Sequence, residues 1–250
     1  MYNLIMGEFL KLKKNSILAV LFTGAFFPIF VTAMQVLMSH SVEAEDLTFM
    51  SFFGATIWNN FSIAFPFMIT LIAGMMFNQE YLNDTLKSLI CIPISIKKLM
   101  FAKLIAVGVL VIILGVLNAT MVCILAFVFG FSNLNMQNII GAYSQICISG
   151  FCVFLSVTPL IIWASKKVNR YYLSIGIAFF YGFCSIFAVS KGWSDYYPVT
   201  AGLRIAGYFI LPGGNIEIAF LSLSIVILLS VLEVFIMPFS YENGIQFAKK

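Results

Sequence analysis

Charge and histidine are scarce in this sequence. Only 10% of its 250 residues are charged, and the one histidine is His40. That scarcity excludes several chemistries. There is no H-E-x-x-H, no G-x-S-x-G and no pair of aspartates inside an apolar run, so the usual intramembrane hydrolases lack their residues here. G-x-x-x-x-G-K-[ST] is also absent, and with it a phosphate loop for ATP. Ion-coupled transport needs ionisable ligands at mid-membrane, and the apolar runs hold almost none. The five cysteines, Cys91, Cys123, Cys147, Cys152 and Cys184, form no C-x-x-C. Four of them fall inside apolar runs, which favours small apolar fillers over metal or redox ligands. No catalytic residue, metal site or cofactor of its own is expected. The basic residues are scattered, with no aromatic platform between them, so no nucleic-acid site is expected either.

What the chain has in excess is apolar length. The hydrophobic fraction is 62%, more than a water-soluble domain of this size can hide. Six stretches stand out: Asn15–Met38, Phe52–Phe77, Leu104–Phe131, Ile140–Ala164, Tyr172–Val189 and Ile216–Met237. Crossing a hydrocarbon core of about 30 Å takes about 20 helical residues, and lipid offers no partner to a non-helical backbone. The expected fold class is therefore an all-α polytopic membrane protein with six transmembrane helices. No loop is long enough for a separate soluble domain, so residues 1–250 are read as one transmembrane domain. The N-terminus imitates a signal peptide up to Val31-Thr32-Ala33, but the apolar run continues to Met38, so cleavage is not expected.

Basic residues set the orientation. All but Lys191 and Arg204 of the 14 Lys and Arg fall on one side: in the N-terminal tail (Lys11, Lys13, Lys14), the second loop (Lys87, Lys97, Lys98, Lys103), the fourth loop (Lys166, Lys167, Arg170) and the C-terminus (Lys249, Lys250). The opposite side carries Glu43, Glu45 and Asp46. Both termini are expected to be cytoplasmic.

Three segments outside the spans carry pattern. In residues 1–14, Met1, Ile5, Phe9 and Leu12 share a helical face, with Glu8, Lys11 and Lys14 elsewhere; this reads as an N-terminal interfacial helix. In the cytoplasmic loop Asn78–Lys103, Asn83, Asp84 and Thr85 can cap a helix. Leu82, Leu86, Leu89 and Ile90 then form an apolar face, and Pro93 ends it. Such a face either docks into a cytoplasmic partner or rests on lipid or on its own bundle. The external segment Ser190–Asn215 holds belt aromatics, an apolar piece, Leu203–Leu211, too short to cross, and Pro212-Gly213-Gly214. It reads as an interfacial or re-entrant element, or as a plain surface loop.

Within the spans the polar residues are neutral: Asn59, Asn60, Asn118 and Gln145. Hydrogen bonding between helices is the first reading, and lining a substrate path is the second. Pro28, Pro66 and Pro159 are expected to kink their helices. Glu233 sits near the cytoplasmic end of the last span, where snorkelling, pairing with a loop lysine or function each account for it.

With neither ATP chemistry nor ion sites, energy for uphill transport must come from another subunit, and the Asn78–Lys103 loop is the place for it to arrive. There the sequence resembles the bacterial ABC-2 type permeases, in Glu80, Thr85-Leu86, Leu89, Pro93, Lys97-Lys98 and Lys103, with Asp84 where the family usually has Gly. The opening MYNLIMGEFLKLKKN is similar to that family's interfacial helix. Length and short loops look most like the permeases of lantibiotic-immunity and bacitracin-type exporters.

The resemblance implies a partner cytoplasmic ABC ATPase that holds ATP and Mg, and a second permease, identical or homologous. It also implies a coupling helix whose contact residues are Glu80, Leu82, Thr85, Leu86, Leu89 and Pro93. An exporter of an antimicrobial peptide or another amphipathic compound is the expected function. A drug, sodium or lipid exporter, or a non-transporting assembly or sensor subunit, is the alternative.

Overall fold

The computed structural model describes residues 2–12, 17–38, 48–82, 96–165, 170–208 and 214–236. A short helix α1 (Tyr2–Leu12) precedes α2 (Ile17–Met38). The second span is α3 (Phe49–Asn59), a π-turn (Asn60–Ala64) and α4 (Phe65–Leu82). Then come α5 (Ile96–Val128), α6 (Met136–Ser165), α7 (Arg170–Ser190), the short α8 (Pro198–Ile205) and α9 (Ile216–Ile236). Among the described residues six helices are long and apolar enough to cross a membrane. They run alternately up and down, so α1 lies at one end of the bundle and α8 at the other.

Each of the six expected stretches overlaps one of these spans over most of its length, and the boundaries shift for local reasons. Thr48 caps α3, its hydroxyl accepting the Ser51 amide at 3.2 Å, so the second span begins before Phe52. α5 begins at Ile96 and runs through Lys97, Lys98 and Lys103, good helix formers, into the apolar stretch from Leu104. At about 1.5 Å per residue it is about 50 Å long, more than a bilayer core requires. It ends at Gly130, where φ is +66° and the Phe131 amide reaches back to the Ala126 carbonyl at 3.0 Å, a glycine-terminated helix end.

The second span is the centre of the bundle: 78% of its apolar window is buried, against 28% for α9. It packs against α2, α5, α6 and α7, while α6 also touches α5, α8 and α9. Phe49, Phe53, Ile57, Phe61, Phe65 and Ile69 are all essentially inaccessible. They recur every four residues, and on a helix of 3.6 residues per turn such a stripe would rotate away from the core. The π-turn, in which the Phe65 amide bonds to the Asn60 carbonyl, is wider and turns the stripe back. It lies just ahead of Pro66, which has no N–H to give. A Cβ on Gly182 of α7 would stand 2.5 Å from the Ser62 carbonyl and 2.7 Å from Pro66 Cγ. Only glycine permits that approach. The exposed faces of α2, α7 and α9 carry large apolar side chains, among them Phe22, Phe26, Phe180, Phe187, Leu221 and Leu228, as suits contact with lipid.

The short helix between the fifth and sixth spans begins at Pro198 and overlaps the start of the apolar piece Leu203–Leu211. Pro198 starts it, since its fixed φ suits the first helical position, and Val199, Ala201 and Leu203 are buried in it. Residues 209–211 lie outside the described ones.

Candidate functional site

At the α1 end the foot of the second span is fastened to its neighbours through Lys103. This residue lies two turns into α5 and is 2% exposed. Its Nζ donates to the Met76 carbonyl of α4 at 2.9 Å, stands 3.3 Å from Glu8 Oε2 of α1, and lies 5.2 Å from the centre of the Phe77 ring. Glu8 is itself 3% exposed, and its other oxygen accepts from Lys11 Nζ at 2.6 Å. Glu8, expected away from the packed face of α1, points into the bundle instead. A buried ammonium persists only with partners that offset its desolvation, and here α1 supplies the Glu8 carboxylate and α4 the Met76 carbonyl and the Phe77 ring.

Met76 is one turn before Glu80 and two before Leu82, the last described residue ahead of the expected coupling segment. The backbone of Glu80 and Leu82 is helical. Thr85, Leu86, Leu89 and Pro93 lie outside the described residues. Chain emerges again at Ile96, two turns before Lys103. The Lys103 junction therefore holds both ends of that segment. In the sequence Lys103 counts toward the orientation signal and the family resemblance; the clue to its burial is its place inside the apolar register of α5.

In the middle of the bundle, neutral polar groups join the first three spans. The Asn118 amide of α5, wholly buried, donates to the Ala25 carbonyl of α2 at 2.8 Å, and its Oδ1 accepts from Asn60 Nδ2 at 2.8 Å. Asn60 is the first residue of the π-turn. Next to it, Asn59 Nδ2 donates to Thr32 Oγ1 at 2.9 Å and Gln35 Oε1 at 3.0 Å on α2. Three of the four neutral residues singled out from sequence thus bond between helices. Gln145 is half-buried on α6, apart from this network. No member of the network titrates in the physiological range, so it can orient helices or meet a neutral polar ligand but cannot carry protons. Among the described residues no three His, Cys, Asp or Glu side chains group together.

At the far end a second buried ion pair organises α8. Arg204 Nε donates to Asp195 Oδ1 at 2.5 Å, and Asp195 Oδ2 accepts the Asn215 amide at 2.8 Å, linking α8 to the start of α9. Tyr208 donates its hydroxyl to the Gly54 carbonyl of α3 at 2.9 Å. Burial pushes the Tyr208 phenol up, which keeps it a donor. Tyr197 bonds in the same way to the Tyr181 carbonyl at 2.5 Å, and burial again raises its phenol.

A model of the family described as ABC-2 family transporter protein matches residues 4–185. The matched span runs from α1 into α7 and so contains Glu8, Met76 and Lys103. Over 158 residues the chain is 28% identical to the bacitracin transport permease protein BCRB of Bacillus licheniformis, covering 62% of this chain and 74% of that protein.

Proposed function

Because the chain belongs to the ABC-2 family of transporter proteins, we propose that it expels an amphipathic antimicrobial peptide from the bilayer as the permease of an ATP-driven exporter. It is a multi-pass protein of the bacterial membrane and a transporter permease subunit. In this reading a separate cytoplasmic ATPase holds ATP and Mg, a second permease completes the pore, and both termini face the cytoplasm. The similarity to a bacitracin transport permease supports a peptide substrate. So do spans without fixed mid-membrane charge, which suit a molecule taken from lipid rather than an ion.

The observation that carries the coupling part is the Lys103 junction. A push on the helix expected over Leu82–Ile90 would reach α4 and be shared with α1 and α5 through Met76, Lys103 and Glu8. Higher in the bundle, the π-turn and the Asn60–Asn118 bond connect α4 to α5 and α2. Glu80, Leu82, Thr85, Leu86, Leu89 and Pro93 would form the contact with the ATPase.

The test is peptide challenge of cells with and without the gene. Deletion is expected to raise sensitivity to bacitracin or to a lantibiotic, with resistance restored by the gene in trans. Unchanged sensitivity to both peptide classes would overturn the substrate assignment.

A further inference from the structure

Between α5, α6 and α9 lies a partly open cavity of about 350 Å³, with Ile105, Ile112 and Ile227 exposed along it. Its walls include Phe101, Ile105, Gly108, Phe154, Ile227 and Val231. The polar residues that line it have spent their hydroxyls on their own helices: Thr158 donates to the Phe154 carbonyl at 2.8 Å and Ser230 to the Val226 carbonyl at 2.8 Å. What faces the cavity is hydrocarbon. Its floor is open at Gly108, which has no side chain to fill it.

The groove runs along α5 from Phe101 to Ile112, about 16 Å at the helical rise. That is about half of a hydrocarbon core of about 30 Å, the depth of one leaflet. Its α1-side end is basic. Lys97 stands one turn before Phe101 on the same stripe of α5, with its Nζ 4.9 Å from the centre of the Phe235 ring on α9. Lys98 is exposed beside it. Among the described residues beside Lys97 and Lys98 the carboxylate is Glu233, half-buried in the last turn of α9, and the two lysines outnumber it. We propose that this groove holds one acyl chain of an anionic phospholipid, with the phosphate at Lys97 and Lys98. The lipid is a bound component of the permease, distinct from the exported compound. The inference rests on the membrane placement of the spans and not on the identity of the substrate.

The experiment is native mass spectrometry of the purified full-length protein with phosphatidylglycerol or phosphatidylcholine of the same acyl chains, followed by photolabelling with a phosphatidylglycerol carrying a mid-chain diazirine. The wild type is expected to keep one phosphatidylglycerol in preference to phosphatidylcholine, and label is expected on α5, α6 and α9. A Cβ at Gly108 would lie 3.4 Å from Phe154 Cε1, an ordinary contact, so Gly108→Leu places its side chain in the groove. That variant should lose the retained lipid. Ile227→Trp on the opposite wall should do the same and serves if Gly108→Leu fails to fold. Lys97→Gln should keep the chain site but reduce the preference for phosphatidylglycerol about fivefold, the effect of one basic residue near an anionic headgroup. Equal lipid retention in a folded filling variant would overturn the proposal. So would label spread evenly over the exposed face of α7, or no label in the groove at all, as expected if a second copy of the chain covers it.

Discussion

A buried ammonium is tolerable only when its partners offset the loss of water, and Lys103 shows how narrow the tolerance is. Replacing it with Met leaves Glu8 buried, with Lys11, 43% exposed, as its remaining ion-pair partner. Breaking a buried pair from one side costs about 3–5 kcal/mol; the exposed Lys11 offsets part of that. Lys103→Met should therefore lower the detergent-solubilised melting temperature clearly. Adding Glu8→Gln should recover part of the loss, because residues in contact couple by about 0.5–3 kcal/mol. Strictly additive effects would mean that the pair does not act as a unit. Gly182 offers a second residue-scale test. Ala there meets the Ser62 carbonyl and the Pro66 ring, both rigid, and overpacking of this kind costs about 1–3 kcal/mol. Gly176 on the same helix has nothing within 4 Å of an added Cβ, so Gly176→Ala should be neutral or slightly stabilising. Equal melting behaviour of the two variants would contradict the close approach of α7 to the π-turn.

Among the elements, the spans were legible because apolar length is a strong and local signal. The π-turn was legible only in hindsight, from a stripe of buried residues spaced by four and a proline that follows it. Glu8 was misread because a carboxylate on an amphipathic helix normally faces water, and its partner lies far away in sequence. α8 itself was not legible from Leu203–Leu211, because Pro198 and the Asp195–Arg204 pair, not apolar content, decide where the helix forms. That pair gives an element-scale prediction. Asp195→Asn weakens charge-assisted bonds to Arg204 and to the Asn215 amide, each worth about 1.5–3 kcal/mol. Amide hydrogen exchange in α8 and at the start of α9 should accelerate, while the core of α4 stays protected. Unchanged exchange in α8 would show that the ion pair does not hold it.

The whole molecule joins a buried junction at the α1 end of the bundle to a polar network in its middle, and this arrangement has a direction. If both termini are cytoplasmic, a cysteine at Ser41 should react with an impermeant reagent in intact cells, and one at Ser95 only after permeabilisation. Labelling at position 95 from outside would invert the bundle and detach the Lys103 junction from any ATPase. The most direct measurement is co-purification of the ATPase with the permease. Burial of one leucine side chain contributes about 1.5–3 kcal/mol, so losing two from a helix-in-groove contact weakens docking by more than about tenfold. The wild-type permease should bring down its ATPase, and the folded Leu86→Asp, Leu89→Asp variant should not. A folded double variant that retains the ATPase at the wild-type level would contradict the coupling of this permease through the Leu82–Ile90 helix.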